Sequence, residues 1–152
     1  MSTPDATQPT NGGLETVTTI ARVAVLKNGQ ALLTRDSKRL PETVAADGRH
    51  VREAAVELAK SITKTDVDSE DLMHVFSSPH QSGYHICMYV LDCGSDDIDA
   101  SLYEWCLVEA LEGTCEDGVD ALFGQCWMAG GGNTVKEFRT AIRSSLRVRN
   151  TQ

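Results

Sequence analysis

Carboxylates such as Asp47, Glu53, Glu57 and Glu104 have the chemistry to suit a hard divalent cation, because such ions take oxygen ligands. Glu53 and Glu57 stand four residues apart, so a helix would put them on one side. A metal held by such a group polarises a phosphoryl oxygen and activates water. Four histidines, His50, His74, His80 and His85, offer softer ligands. His80, His85 and Cys87 read H-x4-H-x-C, which matches no strong zinc spacing. His85 and Cys87 share a strand face, while His80 falls in a loop, and nothing marks one thiol as an activated nucleophile. Gly130-Gly131-Gly132-Asn133 precedes the last helix and could receive a phosphate there. It lacks the Lys and Ser/Thr ending of a P-loop, and no clear strand leads into it, so a connection is the simpler reading. Lys136, Arg139, Arg143 and Arg147 make one basic stripe on that helix. A solvated face explains the stripe; an acidic partner, whether nucleic acid or the acidic middle of a neighbouring copy, is the sharper alternative.

These groups need elements to position them. Residues 16–27 are apolar and β-branched, Asn28-Gly29 suits a type I′ turn, and residues 30–35 return as a second strand. Residues 36–48 read as a loop. From Val51 to about Lys64 the pattern turns helical, with Val51, Ala55, Leu58 and Ile62 in one apolar stripe and Glu53 and Glu57 beside it. Leu72–Ser77 and Tyr84–Leu91 read as two strands, the second apolar on both sides and therefore central. Tyr103–Leu111 begins as a short strand and ends as a helical turn. Residues 112–132, with six glycines, read as irregular. Thr134 and Glu137 have the T-x-x-E capping spacing of a final helix, whose buried face is Val135, Phe138, Ile142 and then Ser145 or Leu146. Hairpin, loop, helix, strand pair, strand and helix in that order predict a mixed sheet with helices on both faces, an α/β/α sandwich.

At 152 residues the chain can bury a sizeable core. It has neither an apolar run long enough to span a membrane nor a secretory leader pattern, so no membrane association is expected. Five cysteines without a CxxC pair argue against a disulfide framework and for a reducing, cytoplasmic setting. The net charge of −8 is uneven: between Lys64 and Lys136 there is no Lys or Arg, while Asp and Glu number fourteen. That acidic middle would repel a phosphate backbone and argues against a nucleic-acid surface. Residues 1–15, rich in Ser, Thr, Pro, Gly and Asn, read as an N-terminal tail ahead of one domain at 16–150.

Residues 40–67, LPETVAADGRHVREAAVELAKSITKTDV, resemble the signature segment of the Nudix hydrolase family. That signature runs G-x5-E-x7-R-E-U-x-E-E-x-G-U, with U a bulky apolar residue, usually after Leu-Pro-Gly. Leu40-Pro41 stands at Leu-Pro, and Gly48, Ala54, Ala55, Thr63, Asp66 and Val67 match residues common in the family. The hairpin ARVAVLKNGQALLTR and the segments SSPHQSGYHICMYVLDC and YEWCLVEAL resemble its strands, so the likeness spans roughly residues 19–147. It implies the Nudix α/β/α sandwich and, in active members, magnesium held by helix glutamates against the diphosphate of a nucleoside diphosphate derivative.

The fixed positions have changed. The first Gly is Thr43, the first Glu is Arg49, the Arg-Glu pair is Glu57-Leu58, the next two glutamates are Ser61 and Ile62, and the last Gly is Lys64. A one-residue slip puts Glu57 on the signature Glu, with Lys60 and Ser61 on the two that follow. Either way the carboxylate cluster is missing, and one Glu cannot hold the metal. The expectation is a catalytically inactive Nudix-like binding or assembly module, for a protein partner, a nucleotide-like ligand or a second copy, with no cofactor. The alternative is an atypical hydrolase that binds Mg2+ or Mn2+ through relocated ligands such as Glu53 and Glu57.

Overall fold

The computed structural model describes residues 18–46, 49–79, 83–93, 97–111, 117–131 and 134–150, with side chains as far as Arg143 in the last helix. The expected N-terminal tail, Asp47, Gly48, His80, Cys115, Gly132 and Asn133 lie outside the described residues, as do the side chains of Ser145, Leu146 and Arg147.

Strand β1 (Thr18–Lys27) is the centre of the sheet, with every residue from Ile20 to Leu26 buried. It turns into β2 (Gln30–Thr34) through Asn28 at φ 53° and Gly29 at φ 76°, the pair of positive φ values that a type I′ turn requires. The other strands are β3 (Glu42–Ala45), β4 (Leu72–Pro79), β5 (Tyr84–Asp92) and β6 (Tyr103–Leu107). Their order is β4-β5-β1-β2-β6, with β3 paired to the first half of β1. β1 and β5 are parallel from Thr18↔Tyr84 to Leu26↔Asp92, and the remaining pairs are antiparallel, so β5 is central as its two apolar faces require.

Alternation along β1 separates two cores. Ile20, Ala24 and Leu26 join Ile86, Met88 and Val90 of β5 under helices α2 (Gly118–Ala129) and α3 (Val135–Asn150). Ala21, Val23 and Val25 join Cys87, Tyr89 and Leu91 under α1 (Val51–Thr63). This is the expected sandwich with helices on both faces. Cys87 and Cys93 are buried, and Cys106 and Cys126 are half-buried.

Two readings are corrected. The loop at 36–48 contains β3, because Glu42–Ala45 pairs with Thr19–Arg22. Within 112–132, read as irregular, α2 occupies residues 118–129. Its glycines mask a helical stripe, for Val119, Asp120, Phe123, Gly124 and Trp127 are all buried on one side. Asp117 starts this helix by accepting the Val119 and Asp120 N–H groups at 2.9 and 3.3 Å.

α3 starts where Thr134 accepts the Glu137 N–H at 3.1 Å and donates its hydroxyl to the Glu137 carboxylate at 3.2 Å. Phe138 anchors the helix, edge-on to Phe123 and tilted against Trp127. Gly130 permits that approach, since a Cβ there would stand 2.9 Å from the Phe138 ring.

Candidate functional site

Thr43 sits in β3 opposite Ala21, half-buried. Leu40 and Pro41 are buried, and the Pro41 carbonyl accepts the Val23 N–H at 3.0 Å. His50 caps α1 by accepting the Arg52 N–H on Nδ1 at 3.1 Å, which places it as a structural cap.

The helix presents two different sides. Ala54, Ala55, Ala59 and Ile62 face the sheet, with Val51 and Leu58 half-buried at the margin. The apolar stripe is therefore centred on alanines, which let the helix lie close to β1 and β5, and on Ile62 at 2% exposure. Glu53, Glu57, Lys60 and Ser61 are exposed. In the unslipped register the signature glutamates fall on Leu58, Ser61 and Ile62, of which one points into the core. In the slipped register they fall on Glu57, Lys60 and Ser61, all outward. The helix end favours the unslipped register instead. Lys64, at the signature's final Gly, caps α1 in the left-handed conformation at φ 57°, ψ 31° and donates its N–H to the Lys60 carbonyl at 2.8 Å. Glycine takes that conformation without steric penalty. Lys64→Gly is accordingly expected to stabilise the fold by about 0.5–1 kcal/mol, read as a higher urea midpoint; an unchanged or lower midpoint contradicts it.

Arg49 and Glu57 form an ion pair, with the signature's Glu and Arg positions exchanged in sign. The hydrogen bond from Arg49 holds the Glu57 carboxyl below its ordinary pKa. Glu104, on β6, is taken up by Lys38 and Arg35. Glu53 is exposed on α1. Among the described residues no three His, Cys, Asp or Glu side chains group as a metal site. His74 meets Ser77 at 2.9 Å, and His85 is half-buried on β5.

One charged centre was missed by sequence reasoning. Arg22, 2% exposed on β1, faces the α2 side. Its Nη1 donates to Asp117 at 2.8 Å and to Asp120 at 3.0 Å, and its Nε donates to Glu42 at 3.1 Å. Asp120 also accepts the Leu40 N–H at 2.9 Å. One guanidinium thus ties β1, β3, the segment before β3 and the start of α2. The available signal was an arginine inside the apolar strand IARVAVL, which a buried strand tolerates only with partners.

Three carboxylates around one guanidinium, with the exposed Arg39 3.8 Å from Asp117, leave excess negative charge. Burial presses on Asp117, but the Arg22 hydrogen bond and charge and two backbone N–H groups outweigh it and hold the carboxyl below its usual pKa. Asp120 has no exposure, and burial, only partly offset by Arg22 and the Leu40 N–H, pushes its pKa up to about 6. A folded-state value above the ordinary 3.8 means the fold binds the proton more tightly. This contribution is therefore complete below about pH 4 and lost as pH rises through about 6. Asp120→Asn is expected to remove a stability change on the order of 1 kcal/mol between pH 5 and 7, measured as Tm against pH for both proteins; parallel profiles contradict it.

The basic stripe divides. Lys136 and Arg143 are exposed, whereas Arg139 is half-buried and lines a groove of about 390 Å³ with Asp66, Glu70, Asp71 and Asp92. Arg139 thus faces the acidic region of its own chain. A second, apolar groove of about 650 Å³ separates β4 from α3. No helix among the described residues is long and apolar enough to cross a membrane.

No family model matches the sequence, and no curated protein matches it. Solved structures do match. A chain assigned to the Nudix hydrolase family from Chromobacterium violaceum aligns with a TM-score of 0.62 at 14% identity, over 91% of this chain and 94% of that one. A MutT Nudix hydrolase from Burkholderia pseudomallei aligns at 0.54 and 13% identity, over 73% and 98%. The C-terminal domain of mouse MUTYH, solved in complex with human PCNA, aligns at 0.57 and 13% identity, over 77% and 91%. Six strands in one mixed sheet, helices on both faces and these alignments together give the chain the Nudix fold.

Proposed function

We infer that this chain uses the Nudix fold to bind a partner and does not hydrolyse nucleoside diphosphate derivatives. The observation that carries this reading is the outward side of α1. In either register the helix offers at most one signature carboxylate, Glu57, which is paired with Arg49 and followed by Lys60 and Ser61. A hard divalent ion requires several oxygen ligands, and an adjacent guanidinium and ammonium oppose it. A protein partner is favoured because a domain of this fold has been solved with one, the MUTYH C-terminal domain with PCNA. Fold alone does not carry function, so the site must be tested directly.

The test is turnover of ADP-ribose, NADH and the dNTPs with Mg2+ or Mn2+, followed as phosphate release after phosphatase coupling. Release at the level of the protein-free control is expected, and Glu57→Gln should leave it there. Metal-dependent turnover that Glu57→Gln abolishes overturns the reading and restores the hydrolase with relocated ligands.

A further inference from the structure

The sheet has two unlike outer strands. β4 is broken by a bulge between His74 and Phe76 and ends on Pro79, two features that keep an edge from pairing. β6 has neither. Its sequence YEWCL pairs with β2 on one side, and among the described residues no strand pairs with its other side. Leu107 at its end is 48% exposed. Tyr103 and Trp105, on the same face by alternation, are half-buried against the core beneath α1.

The ladder fixes which backbone groups of β6 face outward. Val108 donates its N–H to the Gly29 carbonyl at 3.0 Å, and Arg35 donates to the Leu102 carbonyl at 2.9 Å. With Thr34 opposite Tyr103 and Gln30 opposite Leu107, the even-numbered residues from 102 to 108 bond to β2. Tyr103, Trp105 and Leu107 therefore turn their N–H and C=O groups away from it. Two of these groups are engaged within the chain. The Tyr103 N–H donates to the Asp99 carbonyl at 3.1 Å, and the Leu107 carbonyl accepts the Cys106 thiol at 3.6 Å. The Tyr103 carbonyl, both groups of Trp105 and the Leu107 N–H remain.

This remaining set is complementary to itself. A two-fold axis through Trp105, perpendicular to the sheet, sets Trp105 opposite Trp105 of a second copy and Leu107 opposite its Tyr103. Each Trp105 N–H then meets a Trp105 carbonyl, and each Leu107 N–H meets a Tyr103 carbonyl. The groups that this pairing does not need are the two already engaged. A two-fold through Cys106 would instead call on the engaged Leu107 carbonyl and leave the Tyr103 carbonyl opposite Glu109, in the turn beyond the strand. The side chains agree with the first arrangement. Trp105 meets Trp105 and Tyr103 meets Leu107, aromatic and aliphatic pairs that stabilise neighbouring strands. Glu104, the one charge on β6, is held by Lys38 and Arg35 and would stand opposite Cys106. A chain of net charge −8 can thus bring this edge to its own copy without opposing two carboxylates on the strand.

We propose that β6 is a homodimer interface, at which a second copy of this chain pairs antiparallel about Trp105 and joins the two sheets into one. This names a partner for the binding reading and rests on an edge separate from α1.

Sedimentation equilibrium of the full chain from about 5 to about 200 μM tests it. A monomer–dimer equilibrium is expected. It should persist at about 300 mM salt, because backbone bonds and apolar contacts hold it. Leu107→Pro separates folding from pairing. Leu107 has φ −58°, the value proline imposes, and its N–H faces away from β2. The variant should keep its circular dichroism and thermal midpoint while dimerisation weakens at least about tenfold. Glu104→Cys reports the register: its thiol would neighbour Cys106 of the second copy, so diamide oxidation should give a disulfide-linked dimer on a non-reducing gel. Adding Cys106→Ser should remove that product. A monomer at every concentration overturns the proposal and leaves the edge to a strand of another protein. So does undiminished dimerisation by Leu107→Pro, an assembly larger than a dimer, or failure of Glu104→Cys to cross-link. Metal-dependent turnover in the phosphate-release assay alongside an intact dimer would remove the non-catalytic reading and leave the interface standing.

Discussion

Arg22→Met is expected to lower the free energy of unfolding by about 3–5 kcal/mol, the usual consequence of removing one partner from a buried ion pair. That is a large share of the roughly 5–15 kcal/mol that holds a domain together. The loss comes less from the hydrogen bonds removed than from what remains. Asp120 is fully buried and Asp117 nearly so, and both would lose the guanidinium between them, with only the exposed Arg39, 3.8 Å from Asp117, left nearby. Urea unfolding at pH 7.5 is the measurement, and a midpoint unchanged from the parent would refute the assignment. Arg22→Lys is expected to recover only part of the loss. One ammonium cannot reproduce the fork that sends Nη1 to Asp117 and Asp120 and Nε to Glu42. Combining Arg22→Met with Asp117→Asn and Asp120→Asn should restore most of the stability, because the uncompensated charges disappear with the cation.

Ile62→Glu is the second large effect, at about 3–5 kcal/mol near neutral pH. Ile62 packs with Ala59, Tyr89 and Leu91 in the core beneath α1, where a carboxylate would find no partner among these apolar neighbours. Its folded-state pKa would rise, so the loss should shrink as pH falls toward 5 and the side chain protonates. Ser61→Glu and Lys60→Glu, one and two residues earlier on the exposed side, should each stay within about 0.5 kcal/mol of the parent. The contrast decides which side of α1 can carry carboxylates. If Ile62→Glu unfolds at the parent's midpoint, the helix does not pack as described.

Much of the framework was legible from local patterns. The Asn28-Gly29 turn, the apolar run of β5 and the stripe of α1 each follow from residue type and period, and each is present. α2 was not legible because Gly118 and Gly124 carry weak helix propensity, which Asp117 capping and burial of Phe123 and Trp127 overrule. β3 was hidden for a related reason: four residues of half-exposed strand have little pattern of their own and exist through pairing with β1.

By itself the sequence determined the sandwich, the position of the helix at residues 51–63 and which of its positions carry no carboxylate, since these depend on residue identity and spacing along one element. The tertiary structure alone decided which way that helix faces. It put Ile62 inward and Glu57, Lys60 and Ser61 outward. It also assembled Arg22, Glu42, Asp117 and Asp120, residues up to 98 positions apart, into one buried charged centre. Contacts between distant segments are fixed by how the two cores close on the sheet, and no local period encodes that closure.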